Sequence, residues 1–482
     1  MKSLVKNSVF NTVYTVLNLL FPLITSVYVS RVLMPEGVGK VAYTQSIASY
    51  FVILASLGLP NYGIREIAKI KSKCEKKNKL FTELIIINTF STAVSLVIYM
   101  VLILYNTSLR EQTSLFLACG FLIFLNFLNI DWLYQGEEEY VYIVIRSLIV
   151  KALSLAAIFL LVRSSQDFIF YAWISSFATG GNYIFNSVHA RKYVKLDFRD
   201  LNVKQHIPPI LVMAGGVLLS SIYGKIDTTM LGIMSGEKST GLYTYGQKII
   251  DLVISLCTAV TAVFMPRLSY YYEHDTKEFH GLLDQGIKIL AFLTFPMAMG
   301  LFIIAPEVIE ILFGAGFIKA AVTVRIFCVL IIIKGFGNLL CFQLVMCTGN
   351  EKERLPATFL GSIVNIFLNI FLIPLWAEAG AAVASVISEI IVNSYQLLKM
   401  KKKLGFHFNK NAFIQAIIST VIMAVICFIL YSIRLPLYFS VILVIGGGAG
   451  VYLVVNIILK NEIIYYVLNQ FVQKLKRCLK IM

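Results

Sequence analysis

A run of about twenty predominantly apolar residues recurs fourteen times along this chain, and the polar connections between runs stay within about twenty residues. Twenty residues of helix match the hydrocarbon thickness of a bilayer. In lipid a backbone must satisfy its own hydrogen bonds, so an unalternated apolar run of that length reads as a spanning helix. The expected spans are 8–30, 41–62, 80–104, 113–135, 141–162, 168–190, 208–235, 241–265, 282–305, 321–348, 355–376, 379–398, 411–433 and 435–458. The fold class that follows is an all-α polytopic membrane protein with about 14 transmembrane helices. Charge content agrees: 14% of residues are charged, against roughly 25% in soluble domains. The first run is long enough to span and no A-x-A-like cleavage site follows it, so no cleavable signal peptide is expected.

The net charge of +16 suggests nucleic acid in a soluble protein. Here it points to loops facing an anionic lipid surface, and no nucleic-acid partner is expected. Of 42 lysines and arginines, 28 fall in segments on one side if the N-terminus is inside, seven in the opposite loops and seven within spans. The positive-inside rule then places both termini in the cytoplasm. The eight cysteines are scattered and form no CxxC or CxxH pattern, so neither a disulfide framework nor a metal site is supported.

The chain also echoes itself. "GKVAYTQSI" (39–47) matches "GLYTYGQKI" (241–249) at Gly39/Gly241, Tyr43/Tyr245, Gln45/Gln247 and Ile47/Ile249, always 202 residues apart. "YQGEEEY" (134–140) echoes "CTGNEKE" (347–353). Two six-helix lobes are therefore expected, 1–190 and 208–398, joined by a cytoplasmic linker 191–207. An even number of spans per copy makes them parallel repeats about a pseudo-two-fold axis along the membrane normal. A basic linker 399–410, two further helices within 411–458 and a basic tail 459–482 complete the expected plan.

Three stretches carry a resemblance: "RVLMPEGVGKVAYTQSIASYFVILASLGLPNYGIREIAK" (31–69), "DWLYQGEEEYVYIVIR" (131–146) and "KIDTTMLGIMSGEKSTGLYTYGQKI" (225–249). The sequence resembles bacterial polysaccharide flippases of the O-antigen transporter type, in the multidrug/oligosaccharidyl-lipid/polysaccharide exporter superfamily. The resemblance implies that the chain moves undecaprenyl-diphosphate-linked oligosaccharide repeat units across the inner membrane by alternating access through a cavity between lobes, with ion coupling. It implies no cofactor and no catalytic residue. Its partners would be the lipid-linked oligosaccharide, membrane lipids, and a polymerase and chain-length regulator of the same pathway.

Charges inside spans are the residues that need explaining. Lys151 lies roughly 15 Å from the start of its span, near mid-membrane, where a lysine costs about 2.5–3.5 kcal/mol. Arg146 and Lys151 are about 140° apart around the helix. Either both border a wide, cationic, hydrated lumen that attracts an anionic head group, or each pairs with an acid such as Asp131 and fixes packing. With Arg31, Arg65, Lys225, Lys248 and Lys334 they make the candidate substrate-binding set. Asp227 is the candidate ion-coupling residue, since a buried carboxyl beside lysines can titrate. Lys248 and Asp251 are spaced to pair on one helix face. Glu83, Asp284, Lys288 and Arg325 lie near span ends and read as snorkelling. Pro35, Gly37 and Gly39 read as the turn between the first two spans, and "GEEEY" (136–140) as carboxylates suited to a helix N-terminus.

Two other function classes bear on the same residues. A cation-coupled drug exporter would favour acids in its lumen, whereas the deeper charges here lean cationic. A membrane polysaccharide polymerase or ligase would carry a large outer loop, and no outer loop exceeds about ten residues. No HExxH, GxSxG or Walker element occurs in a suitable context, so an enzyme is not expected.

Overall fold

The structure, a computed structural model, describes residues 4–70, 74–405, 410–433 and 435–465, and the regular structure among them is helical. The basic tail beyond 465, Arg434 and residues 406–409 of the basic linker lie outside the described residues. The chain divides into two compact units, Met1–Gly241 and Leu242–Met482. The first holds α1 (Leu4–Ser56), α2 (Leu59–Ile70), α3 (Cys74–Tyr105), α4 (Thr107–Arg110), α5 (Thr113–Leu125), α6 (Asp131–Gly136), α7 (Tyr140–Leu161), α8 (Phe168–His189) and α9 (Ile207–Met234). Then α10 (Glu237–Thr261) leads into the second. There follow α11 (Phe264–His274), α12 (Thr276–Ile303), α13 (Ala305–Phe313), α14 (Ala320–Gly337), α15 (Leu344–Cys347), α16 (Arg354–Leu404), α17 (Lys410–Tyr431) and α18 (Leu437–Ile458).

Nine helical stretches among the described residues are long and apolar enough to cross a membrane. Two of them are double. The helix α1 is two helices meeting at a kink at Met34 (φ 58°), and α16 is two meeting at Ala377 (φ 48°). At the second kink the chain doubles back so closely that a Cβ on Gly380 would sit 2.1 Å from the Leu372 carbonyl oxygen. With α5, α8 and α10 the helices match the fourteen expected spans in order among the described residues.

Several details depart from the sequence reading, each for a local reason. Pro35, Gly37 and Gly39 are not themselves the turn. Met34 takes the left-handed conformation, and Pro35 opens the next helix, where a missing N–H costs nothing. Gly39 lies inside that helix. A Cβ there would stand 1.7 Å from the Glu237 carbonyl oxygen, and one on Gly241 would stand 2.0 Å from the Pro35 carbonyl oxygen. The two glycines matched by the repeat thus let the start of α10 cross α1 backbone to backbone. Gly39→Ala is expected to destabilise the protein by about 2–3 kcal/mol through overpacking. Gly215→Ala on α9, whose Cβ would meet nothing within 4 Å, should be neutral or slightly stabilising. Thermal unfolding of the two purified variants in detergent tests the contrast.

The expected span 113–135 is interrupted: α5 gives way to a 3-10 turn at Asn126–Leu128 before α6. The Asn126 side chain explains the break. It is fully buried, its amide donates to Asn88 Oδ1 and Thr92 Oγ1 at 3.0 Å each, and its oxygen accepts from Ser56 Oγ at 2.9 Å. The expected span 321–348 is interrupted too, by a π-helical turn at Asn338–Gln343. There Thr261 Oγ1 donates to Asn338 Oδ1 at 3.2 Å. In each half of the chain a hydroxyl at the end of the second span holds an asparagine at a break in the fourth. The left-handed turn residues Met34 and Gly236 (φ 85°) are also 202 apart, and the short helices α2 and α11 follow the corresponding spans.

Candidate functional site

The cations of the first unit separate into enclosed and open groups. Arg146 points from α7 toward α6 and α8 and is 4% exposed. Its Nη1 donates to Asp131 Oδ1 at 3.0 Å and also to Asn186, its Nε donates to Asn182 Oδ1 at 3.1 Å, and the Tyr142 ring lies 5.5 Å away. Asn186 donates in turn to Asp131. The guanidinium is buried, paired with a carboxylate and bonded to two amides, so the expectation that Arg146 borders a hydrated lumen is corrected to the packing alternative. A buried arginine is tolerated where a carboxylate and further acceptors take its donors. Asp131 is carried to this position by α6, which is anchored by the nearly fully buried Trp132, Leu133 and Tyr134.

Lys151 differs. One and a half turns further along α7 it faces α1, where its Nζ donates to Asn18 Oδ1 and lies 5.7 Å from the Phe21 ring centroid. It is half-buried, and among the described residues no carboxylate lies within ion-pair distance. Lys225 on α9 is exposed and likewise has no such carboxylate among the described residues. Asp227, two residues on, is half-buried. Next to it Thr229 bonds Ser46 Oγ at 2.8 Å and Tyr50 Oη at 3.0 Å, which fastens α9 to α1. Arg31 is exposed on α1 just before the Met34 kink. Arg65 is exposed on α2, with Nε 2.9 Å from Glu66 Oε1 and the Tyr62 ring 5.3 Å away.

In the second unit Lys248 lies 4.1 Å from the Tyr245 ring centroid, a cation–π contact within one turn of α10. Lys334 Nζ is 3.2 Å from Glu389 Oε1, and Asn393 donates to Glu389 Oε2 at 3.0 Å. Lys334 therefore joins α14 to α16 as an internal ion pair.

One expectation at a span end changes. Glu83 does not snorkel: it is 2% exposed, accepts from the Asn202 backbone N–H at 2.6 Å, and lies 2.8 Å from His206 Nε2. His206 Nδ1 is 2.7 Å from Tyr62 Oη. This buried chain of Tyr62, His206 and Glu83 ties the segment before α9 to α2 and α3. Lys288 is held between Asp284 (2.8 Å) and Glu462 (2.6 Å), and Arg325 Nε donates to the Phe302 carbonyl oxygen at 3.2 Å. The acidic turn before α7 supplies no side-chain cap. Glu137 instead pairs with buried Lys77 at 2.9 Å, and Glu139 Oε1 accepts from Tyr193 Oη at 2.7 Å. Burial first, then that carboxylate, hold the Tyr193 hydroxyl above the ordinary phenol pKa.

Sequence reasoning missed the amides. Asn18, Asn182 and Asn186 hold the two α7 cations, and all three lie in or beside apolar runs. Asn182 and Asn186 are four apart, on one face of α8. An uncharged amide in a span carries the same signal as a charge, because lipid leaves its donors and acceptor without partners.

The family model described as polysaccharide biosynthesis protein matches residues 4–271, and that described as lipid II flippase MurJ matches residues 183–447. A putative O-antigen transporter of Escherichia coli (strain K12) is 23% identical over 403 residues, covering 82% of this chain and 96% of its own length. A probable flippase AglR of Haloferax volcanii is 24% identical over 237 residues, 48% of this chain and 49% of the relative. The solved structure of lipid II flippase MurJ in an inward closed conformation has a TM-score of 0.78 at 17% identity, covering 95% of this chain and 99% of that one. An inward-facing multidrug resistance MATE family transporter of the MOP superfamily gives 0.61 at 16% identity, with 80% and 94% covered.

Proposed function

The chain belongs to the polysaccharide biosynthesis protein family, and from that membership we propose that it carries lipid-linked oligosaccharide repeat units across the bacterial inner membrane. It is a multi-pass membrane transporter of the flippase type, not an enzyme. The cargo is an undecaprenyl-diphosphate-anchored unit of the O-antigen or capsule type. The mechanism is alternating access with both termini in the cytoplasm, and Asp227 is the candidate for ion coupling. A polymerase and chain-length regulator receive the product.

The observation that carries the anionic cargo is Lys151. A mid-span ammonium held by an amide and a ring, with no acid at ion-pair distance among the described residues, keeps its positive charge uncompensated. A diphosphate passing α7 supplies the missing anion. Arg31 and Lys225, both exposed on the first unit, extend this reading, and Arg65 does so less because Glu66 lies 2.9 Å from it. Lys248 and Lys334 lend it less, since a ring and a carboxylate already face them.

Deleting the gene tests the reading. Single lipid-linked repeat units are expected to accumulate on the cytoplasmic leaflet, with surface polysaccharide lost. Display of single units on the cell surface would instead indicate a polymerase. Normal polysaccharide with raised drug sensitivity would indicate a drug exporter.

A further inference from the structure

Two separate hydrophobic cores lie in the first unit among the described residues. The outer core gathers Val41, Ala55, Tyr99, Phe116, Ile123 and Ala172 among others. The inner core, on the side of the linker 191–207, gathers Tyr62, Leu84, Trp132, Tyr134, Ile143 and Val194 among others. Three stretches of chain feed both cores. From α1 to α2 the change falls between Ala55 and Leu59, from α5 to α6 between Ile123 and Ile130, and within α3 between Ile87 and Tyr99. What lies between the cores is a layer of amides and hydroxyls. The Asn126 side chain bonds Ser56, Asn88 and Thr92, and its carbonyl oxygen accepts from Asn88 Nδ2 at 2.8 Å. Ser91 Oγ donates to the Ala55 carbonyl oxygen, and Ser95 Oγ to that of Phe51 at 2.7 Å.

The helices weaken at this layer. The helix α1 ends at Ser56 and is followed by two left-handed residues, Leu57 (φ 46°) and Gly58 (φ 74°). Leucine is strained in that region, and strained residues at element ends absorb the backbone rotation of hinges. The helix α5 gives way to its 3-10 turn at the same layer. On α3, Ser91 Oγ also donates to the Asn88 carbonyl oxygen three residues back at 3.1 Å, a bond that bends helices. On α8 the pair Gly180 and Gly181 lies here, since a Cβ on Gly180 would sit 2.7 Å from Leu125. The second unit repeats the plan: α10 and α11 meet at a 42° bend, and Thr261 at that bend holds Asn338 at the π-helical turn.

On either side of the layer the protein is stiff. The outer side is interlocked apolar packing, which resists deformation. The inner side is also fastened by polar contacts: Arg146 with Asp131, Lys77 with Glu137 and His206 with Glu83 all lie there. The layer itself can yield, because an amide offers two donors and two lone pairs and can exchange partners as it flexes. We propose that the layer of Ser56, Asn88, Thr92 and Asn126 is a hinge across the first unit. The inner body, carrying α2, α6 and the linker 191–207, swings on it as a gate. Transport therefore involves bending within this unit. The purpose of the gate rests on the flippase reading; the hinge does not.

Double electron–electron resonance on the full-length protein in nanodiscs, without cargo, tests it. Nitroxide pairs are placed at exposed positions in a cysteine-free background: Lys69 with Lys192 within the inner body, Arg110 with Gln166 within the outer body, and Lys69 with Gln166 across the layer. Each pair within a body is expected to give one narrow distance, and the crossing pair two. Ser56→Ala removes one bond of the layer, while Asn126 Oδ1 keeps the Asn129 amide as a donor at 3.3 Å. It should shift the ratio of the two crossing distances by about two- to tenfold, the scale of one hydrogen bond, and leave the distances within each body unchanged. A crossing distance as single and narrow as the others in both proteins overturns the proposal. So does a Ser56→Ala variant that unfolds at a lower temperature with its crossing distances unmoved. With no cargo present, either failure leaves the flippase reading standing.

Discussion

Lys151→Ala is expected to cut surface polysaccharide by roughly ten- to a hundredfold while the protein stays in the membrane at its normal level. The magnitude is that of one hydrogen-bonded charge, about 1.5–3 kcal/mol. The direction follows from the surroundings of the ammonium. Asn18 and Phe21 orient it but leave its charge standing. Removing a charge that no carboxylate balances does not strand a buried anion, so folding should not suffer. Lys151→Arg should keep more transport than Lys151→Ala, because the cation is retained in a different shape. Lys151→Glu should abolish transport, since it repels an anionic cargo. Complementation of a deletion strain at matched membrane protein levels is the measurement. Full-length surface polysaccharide from Lys151→Ala would reduce this residue to packing and end the role given to it.

The neighbouring cation should fail in the opposite way. Asp131→Ala is expected to lose the protein from the membrane, because it leaves Arg146 charged and 4% exposed with only amide partners. Breaking a buried pair costs about 3–5 kcal/mol, and the lower end applies here because the Asp131 side chain keeps 24% exposure. The same exposure makes the reciprocal variant milder: with Arg146→Met the stranded carboxylate can reach water. The double variant Asp131→Asn, Arg146→Met removes both charges and should recover most of the yield lost by Asp131→Ala. Fluorescence-detected size exclusion of the three variants gives the ranking. Yields equal to wild type throughout would mean that the Asp131–Arg146 pair contributes little to the fold.

The two residues are five apart on one helix, and the sequence treated them alike. Their angular separation was legible from helical periodicity. What lay opposite each was not. Asp131 is fifteen positions before Arg146 in the chain and reaches it only because α5 stops at Asn126 and α6 restarts the chain at a new angle. That break depends on amide and hydroxyl groups from α1 and α3 converging on one asparagine. Glu83 shows the same limit. Its position near a span end suggested water, whereas the segment before α9 folds over it with His206 and Asn202.

Apolar run length by itself determined the fold class, the order of the fourteen segments and the membrane as solvent, because lipid demands that each long apolar stretch close its own hydrogen bonds. The 202-residue echo marked Gly39 and Gly241 as a pair. Only the tertiary structure decided that they touch, that the fourth and tenth spans break, and which cations are neutralised and which stay open. Those outcomes depend on contacts between residues tens to hundreds of positions apart, and a helix's periodicity records which face a residue occupies but not what stands across from it.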